Sequence, residues 1–182
     1  MRTLPILFFL VAICGSAVAA DYQVEKGSTL NFSGSFQGEK FDGRFRDFEA
    51  QIRYDSTNIE SSKFDVIVNL ASVSTDDKDR DDALPSADFF NVVKFPNAHF
   101  VTRQFKKDGD KITAEGTLTM KGVSKPVNLD VVFVSRDAGA TLDVTGKVKR
   151  LDFGIGSGDY ADTSTIGDEI QIKAHLELGA KL

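Results

Sequence analysis

The sequence predicts an all-β protein: a single antiparallel eight-stranded barrel with apolar side chains inside and a short helical segment as a cap. Apolar and polar residues alternate with period two along eight stretches, the pattern of strands with one dry and one wet face. Turn signals such as Asp108-Gly109-Asp110 and Asp137-Ala138-Gly139 join neighbouring stretches. Closing such a sheet buries the apolar faces and removes the unpaired edges that promote aggregation.

The strands follow from the alternation, which is clear in seven stretches and less regular in the fourth. We expect them to cover Leu30–Phe36, Phe48–Tyr54, Phe64–Leu70, Ala98–Phe105, Ile112–Met120, Val127–Phe133, Leu142–Val148 and Ile170–Leu178. Phe41 and Phe45 are out of phase with Phe48. An extra residue near Arg46-Asp47 should therefore form a β-bulge that bends one long strand.

The helical candidate is the segment 75–90. Ser74 or Thr75 can cap its N-terminus, and three aspartates follow where the helix dipole favours negative charge. Pro85-Ser86 interrupts the helical pattern, so residues 88–92 should form a separate short turn.

Residues 1–19 have the pattern of a cleavable export signal. Arg2 supplies the positive start, Leu4–Cys14 the apolar run, and Ala17-Val18-Ala19 a small-x-small cleavage site. We expect cleavage after Ala19. Attachment of a lipid to Cys14 is the alternative, and the bulky Ile13 before this cysteine argues against it.

Residues 20–182 should then form one domain, since no long Pro, Gly or Ser stretch divides them. This domain has no cysteine, so it folds without disulfides or thiol chemistry. Without Arg2 it carries 21 basic and 27 acidic residues, a net charge of −6. That balance argues against binding nucleic acid or anionic lipid headgroups.

A membrane-spanning barrel would need its apolar face outward, a polar lumen and aromatic girdles at both ends. Here the wet faces carry Lys, Glu and Asp along whole strands, and aromatic residues do not cluster at strand ends. The apolar faces are therefore expected inside, with no membrane span in the mature protein.

Catalysis and metal binding find little support in the sequence. His99 and His175 are the two histidines, and His175 falls on the wet face of its strand. The aspartates at 77, 79 and 81 have the spacing that opens a calcium loop. However, Asp82 stands where glycine is required and Asp88 where the bidentate glutamate belongs. We expect no metal site and no catalytic residue.

The apolar side chains are uniform in type, with fifteen phenylalanines and no tryptophan. Several inward positions are small, namely Gly34, Ala50, Ala114, Gly116, Gly146 and Ala174. Large residues can interdigitate with these small ones in a solid core, or the small ones can leave a tunnel. The residues alone leave both open. A phenylalanine at Gly116 should be tolerated in a tunnel and overpack a solid core.

Six short segments resemble the YceI-like, polyisoprenoid-binding family, in matching order and at matching separations. They are Gly43-Arg44-Phe45 with Phe48, the block from Arg80-Asp81 to Asp88-Phe89-Phe90, Lys94-Phe95-Pro96, Gly116-Thr117-Leu118, Gly122–Val127 and Leu151–Gly154. The resemblance covers nearly the whole chain after residue 19. One departure is that Ser35 or Phe36 stands where many relatives have a histidine in the first strand.

The resemblance implies an extended lipocalin-like barrel, located in the periplasm, that encloses a long isoprenoid chain such as a quinone tail or another lipid. It favours the tunnel, and it places residues 154–169 in a long ordered loop at the barrel mouth. We therefore expect a binding protein for storage or transport, not an enzyme, with no required cofactor. The alternative is a redox or stress-response partner that acts through its surface, with lipid only structural. Whether the protein forms a homodimer stays open.

The expected lipid-binding residues lie on the dry face or in the cap. They are Phe32, Phe36, Phe41, Phe45, Phe48, Phe64, Val66, Leu84, Phe89, Phe90, Phe95, Leu118, Phe133 and Phe153. Arg80 and Asp81 are expected to hold the cap segment in place and not to touch lipid.

Overall fold

Eleven β-strands form one antiparallel sheet that closes on itself in the computed structural model, which describes residues 20–181. The predicted export signal, residues 1–19, lies outside the described residues. The strands are β1 (Ala20–Val24), β2 (Thr29–Phe36), β3 (Glu39–Phe45), β4 (Phe48–Tyr54), β5 (Lys63–Asn69), β6 (Val73–Ser74), β7 (Asn97–Asp108), β8 (Lys111–Met120), β9 (Val123–Arg136), β10 (Gly139–Lys149) and β11 (Glu169–Ala180).

The closed sheet is an eight-stranded barrel, because three of its eight positions are each shared by two shorter strands. The first shared position holds β1 and β2, which both pair with β11. The next holds β4, which pairs with β1, and β3, which pairs with β2. The third holds β5, which pairs with β4, and β6, which pairs with β3. The predicted eight-stranded antiparallel barrel is confirmed.

The long strand made of β3 and β4 breaks at Arg46-Asp47, where a bulge was expected. There the backbone bonds leave the regular ladder: the Arg46 N–H donates to the Ser72 carbonyl at 3.2 Å, and the Asp47 carbonyl accepts from the Asn69 N–H at 3.1 Å. The break shifts the alternation by one residue, so Phe45 and Phe48 both face the interior.

Stacked aromatic rings fill one end of the barrel. Tyr54 stacks on Phe133 with ring centroids 3.9 Å apart, and Tyr22 packs its edge on Phe133 at 5.4 Å. Phe64 packs edge to face on Phe105 at 4.9 Å. We call the group Tyr22, Tyr54, Phe105 and Phe133 the aromatic plug.

The cap covers the other end and contains the short helix α1 (Lys78–Ala83). Asp77 caps this helix by accepting a hydrogen bond from the Arg80 N–H at 3.0 Å, so the expected cap at Ser74 or Thr75 is wrong. Those two side chains instead bond Asp81. Pro85 is the second residue after the helix, and tight turns continue to Phe95. Four 3₁₀ helices complete the described chain: Ile59–Ser61, Leu70–Ser72, Arg150–Phe153 and Gly158–Tyr160.

Candidate functional site

An apolar cavity of about 850 Å³ opens beneath the cap and extends into the barrel. This volume is in the range of cavities that enclose a ligand of drug size or larger. The wall side chains come from both halves of the chain and include Leu30, Phe32, Phe48, Ala50, Val66, Val68, Phe100, Leu118, Met120, Leu129, Leu142, Val144, Ile172, Ala174 and Leu176. Among the described residues, no histidine, cysteine, serine or lysine lines the cavity.

The cavity ends at one level in the barrel. Along β4 the wall includes Ile52 but not Tyr54, and along β9 it includes Leu129 but not Val131. On β11 the last wall residue is Leu176, and its neighbour Leu178 is buried outside the cavity. Phe64 forms part of the floor and rests on the aromatic plug. The cavity is therefore a pocket closed at the plug, not a tunnel through the barrel.

Large side chains cover the inward-facing glycines. The ring of Phe100 lies over Gly116, and a Cβ at Gly116 would lie 2.6 Å from the Val101 carbonyl oxygen. Leu129 covers Gly146 in the same way. The expectation that a phenylalanine fits at Gly116 is therefore wrong. Of the six small residues expected to face inward, Ala50 and Ala174 line the cavity, whereas Ala114 is fully buried outside it.

The cap is held to the barrel by Asp81, as expected. Its carboxylate accepts hydrogen bonds from the Thr75 N–H at 2.6 Å, the Thr75 hydroxyl at 2.7 Å and the Ser74 hydroxyl at 3.2 Å. Burial acts to raise the pKa of Asp81, but these hydrogen bonds outweigh it, and the pKa lies below the usual aspartate value.

Arg80 also connects the cap to the barrel, and it lines the mouth of the cavity. Its guanidinium lies 4.3 Å from the centroid of the Phe41 ring and forms an ion pair with Asp77 at 3.5 Å. Its contact with Phe41 on β3 agrees with the expected role in holding the cap, and its place in the cavity lining was not expected.

The loop 154–168, which we call the mouth loop, completes the opening as the resemblance implied. Tyr160, Thr165 and Ile166 of this loop line the cavity. Gly154, Gly156 and Gly158 have φ angles of 66°, 59° and 67°, the left-handed region in which side chains are strained, and this accounts for the repeated glycines.

Arg150 organises the mouth loop from beneath. Its side chain is buried, and its five N–H groups all donate to backbone carbonyls. The acceptors are Gly167 at 3.2 Å, Ile155 at 2.9 Å, Tyr160 and Ile166 at 2.8 Å each, and Gly156. Burial lowers the pKa of Arg150, and the nearby charge of Asp168 opposes that effect. Sequence reasoning missed this residue, because a basic residue after Lys149 gives no sign of burial.

Eleven of the fourteen predicted lipid-binding residues line the cavity. They are Phe32, Phe36, Phe41, Phe45, Phe48, Phe64, Val66, Leu84, Phe89, Phe90 and Leu118. The other three do not. Phe133 belongs to the plug, Phe153 is buried under the mouth loop with 2% of its surface exposed, and Phe95 packs over Gly122 in the β8–β9 turn. Alternation shows which face a side chain is on, but not its depth along the barrel.

Other wall residues were within reach of the sequence. Ile170, Ile172 and Leu176 alternate with polar residues on β11 and line the cavity as that pattern predicts. Ile155, by contrast, comes from the mouth loop, where no periodicity exists to mark it.

Both histidines lie on the outer surface, as expected for His175. His175 Nδ1 lies 2.7 Å from Asp143 and Nε2 lies 3.3 Å from Glu177, and these hydrogen bonds raise the pKa of His175. His99 Nε2 lies 2.8 Å from Asp65. Within residues 20–181, no three His, Cys, Asp or Glu side chains are grouped for metal binding. No helix in that part of the chain is long and apolar enough to span a membrane.

The YceI-like domain model matches residues 22–178, nearly all of the described barrel. The chain belongs to the YceI-like family. Protein YceI of Escherichia coli O157:H7 is 37% identical over 156 residues, which cover 80% of this chain and 82% of that relative.

Two solved structures share the fold of this chain. Burkholderia cenocepacia BcnA aligns with a TM-score of 0.80 at 30% identity, over 84% of this chain and 98% of BcnA. A polyisoprenoid binding domain from Saccharophagus degradans aligns with a TM-score of 0.66 over 90% of this chain and 100% of that domain. Its identity is 15%, so this likeness shows a common fold.

Proposed function

We propose that this YceI-like protein is a binding protein, not an enzyme, that encloses the tail of an isoprenoid or similar long-chain lipid. The observation that carries the proposal is the apolar pocket of about 850 Å³, open at the mouth and closed at the plug. The polyisoprenoid-binding domain of the same fold in Saccharophagus degradans supports it. Below the mouth, the described wall has no ionisable side chain, which favours binding over catalysis.

Burial of the tail supplies the affinity. At roughly 0.8 kcal/mol per methylene-sized group, a tail of roughly twenty such groups gains about 16 kcal/mol. That gain exceeds an association cost of about 4–15 kcal/mol, so no polar contact is required.

We further propose that the protein acts in the periplasm, where it stores or carries a lipid such as a quinone. The export pattern of residues 1–19 supports this location. Carriage suits a compartment in which a long apolar chain has to cross water between two membranes.

The test is mass spectrometry of the native protein isolated from the periplasmic fraction. We expect a protein that starts at Ala20 without an acyl group, and about one isoprenoid or other long-chain lipid per chain in the organic extract. A diacylglyceryl group on Cys14 would contradict the proposed processing. An empty barrel would contradict lipid carriage and favour a surface-acting partner.

Ala50→Phe tests whether the pocket is the lipid site. Ala50 lines the cavity on β4, so the ring fills ligand space. The lipid-free variant should fold and melt within a few degrees of the lipid-free wild type, and the variant should lose the ability to hold lipid. The matched control is Gln51→Phe, on the exposed outer face of the same strand. A folded Ala50→Phe variant with full lipid content would show that lipid binds elsewhere.

A further inference from the structure

Charged side chains line the cavity only at its mouth, among the described residues. They are Asp77, Asp79, Arg80, Arg150 and Asp159, three carboxylates and two guanidiniums. A lipid whose tail fills the pocket places its headgroup among these five side chains. If the proposed function holds, the headgroups that bind are decided by the charges and hydrogen-bond donors of these side chains that have no protein partner.

Arg150 has no donor to offer a headgroup. All five of its N–H groups already donate to carbonyls of Ile155, Gly156 and three other residues between 160 and 167. A phosphate group that took one of these donors would leave a loop carbonyl without its partner, which costs free energy in a buried site.

The charge of Arg80 is paired, although its guanidinium donates no hydrogen bond to the described residues. Asp77 neutralises its charge across 3.5 Å, and the ring of Phe41 covers one face of the guanidinium at 4.3 Å. An anionic headgroup would have to compete with Asp77 for this arginine.

The other two carboxylates at the mouth are uncompensated. Asp79 and Asp159 are exposed, and neither has a hydrogen-bond or ion-pair partner within residues 20–181. Around them, segment 76–82 has five aspartates against two basic residues, and the mouth loop has three aspartates against none. These two segments hold six net negative charges, which equals the net charge of residues 20–182.

We propose that the mouth selects lipids with uncharged headgroups, such as an isoprenoid alcohol or a quinone, over polyprenyl phosphates with the same tail. The donors of Arg150 are used by loop carbonyls and the charge of Arg80 is paired with Asp77, while Asp79 and Asp159 repel a phosphate. This selectivity rests on the proposed function, because it requires the tail to occupy the pocket.

The test compares geranylgeraniol with geranylgeranyl monophosphate, which share one tail, in a competitive displacement assay on lipid-free protein. At low ionic strength the alcohol should bind about tenfold tighter than the phosphate, since like charges a few ångströms apart repel one another even at a protein surface. The difference should shrink at about 1 M salt, where the screening length is roughly 3 Å.

The variant Asp79→Asn with Asp159→Asn removes both uncompensated charges, so the preference for the alcohol should fall several-fold. The matched control, Asp110→Asn with Asp137→Asn, removes two aspartates from hairpin turns at the plugged end and should keep the wild-type preference. Equal or tighter binding of the phosphate by the wild type would overturn this inference and leave the proposed function intact. Failure of both probes to bind would overturn the proposed function itself.

Discussion

Arg150 is a buried cation whose hydrogen-bond partners are neutral carbonyls. A charge inside a protein is costly unless its donors are satisfied, and here five carbonyls of the chain between residues 155 and 167 satisfy them. The same bonds fix the path of a loop that has little regular structure of its own. One side chain therefore sets the shape of the mouth.

Replacing Arg150 with Met should destabilise the protein by roughly 3 kcal/mol or more, because it strands buried carbonyls that had charged donors. Arg150→Lys keeps the charge but has three donors, so its loss should be smaller. Urea unfolding measures both, and limited proteolysis within residues 154–168 reports the loop. An unchanged unfolding midpoint for Arg150→Met would show that the mouth loop does not depend on this residue.

His175 gives the outer surface a pH-dependent contact. Asp143 on β10 and Glu177 on β11 both bond its ring, and Arg136 on β9 pairs with Glu177 at 2.8 Å. The pKa of His175 is raised, so its protonated form stabilises the fold. That stabilisation is complete below the ordinary histidine pKa of about 6.5 and is lost as pH rises through the folded-state value.

His175→Gln should therefore lower stability at pH 5.5 relative to the wild type and have a smaller effect at pH 8.5. The difference should stay below about 1 kcal/mol, because 39% of the His175 side chain is exposed and solvent screens the pair. Urea unfolding across this pH range measures it. Asp143→Asn should weaken the pH dependence of the wild type. An effect of His175→Gln that grows with pH would contradict the assignment.

At the scale of elements, side-chain size on neighbouring strands decides where the barrel is solid. Phe100 covers Gly116 from the adjoining strand, and Leu129 covers Gly146. These pairs fill the interior that the glycines would otherwise leave empty. Ala50 and Ala174 line the cavity, whereas Ala114 is fully buried outside it. The sequence identifies these small inward residues, but only the packing between neighbouring strands shows which of them line the cavity and which lie in the solid part of the barrel.

The cap shows how far local signals reach. An aspartate-rich helix start and an interruption at Pro85 were both predictable, and both are present in the structure. The residue that caps the helix was not predictable. Ser74 and Thr75 are suitable N-cap residues, but their hydroxyls donate to Asp81, and Asp77 caps the helix. The cap boundary depends on contacts between the cap and β6, which local sequence does not reveal.

At the scale of the whole molecule, the plug limits the length of the ligand. With each methylene-sized group taking about the volume of a water molecule, roughly 30 Å³, a cavity of about 850 Å³ holds about 28 such groups. That number corresponds to between five and six isoprene units of five carbons. Groups beyond that number have to leave the pocket through the mouth and gain little from burial.

The thermal stabilisation given by isoprenoid alcohols should therefore rise with each added isoprene unit and level off near five or six units. Each buried methylene-sized group adds roughly 0.8 kcal/mol to binding, and tighter binding raises the melting temperature by mass action. Thermal unfolding with a series from two to ten units, at equal ligand concentration, measures the effect. A continued steep rise to ten units would show that the tail passes the plug.

The sequence by itself determined that the chain is an eight-stranded antiparallel barrel, where its long strand breaks, and which face of each strand is dry. These are local properties, because alternation with period two is written into neighbouring residues. It also placed eleven of the fourteen chosen residues on the cavity wall.

The tertiary structure decided the depth of each inward residue and the partners of each buried polar group. Phe133 stacks on Tyr54, which lies about half the chain away, and so belongs to the plug and not to the cavity. Arg150 finds its acceptors only after the mouth loop has folded around it. The depth of a side chain in the barrel and the partners of a buried polar group both depend on how distant segments align. The alternation within one strand contains no information about that alignment.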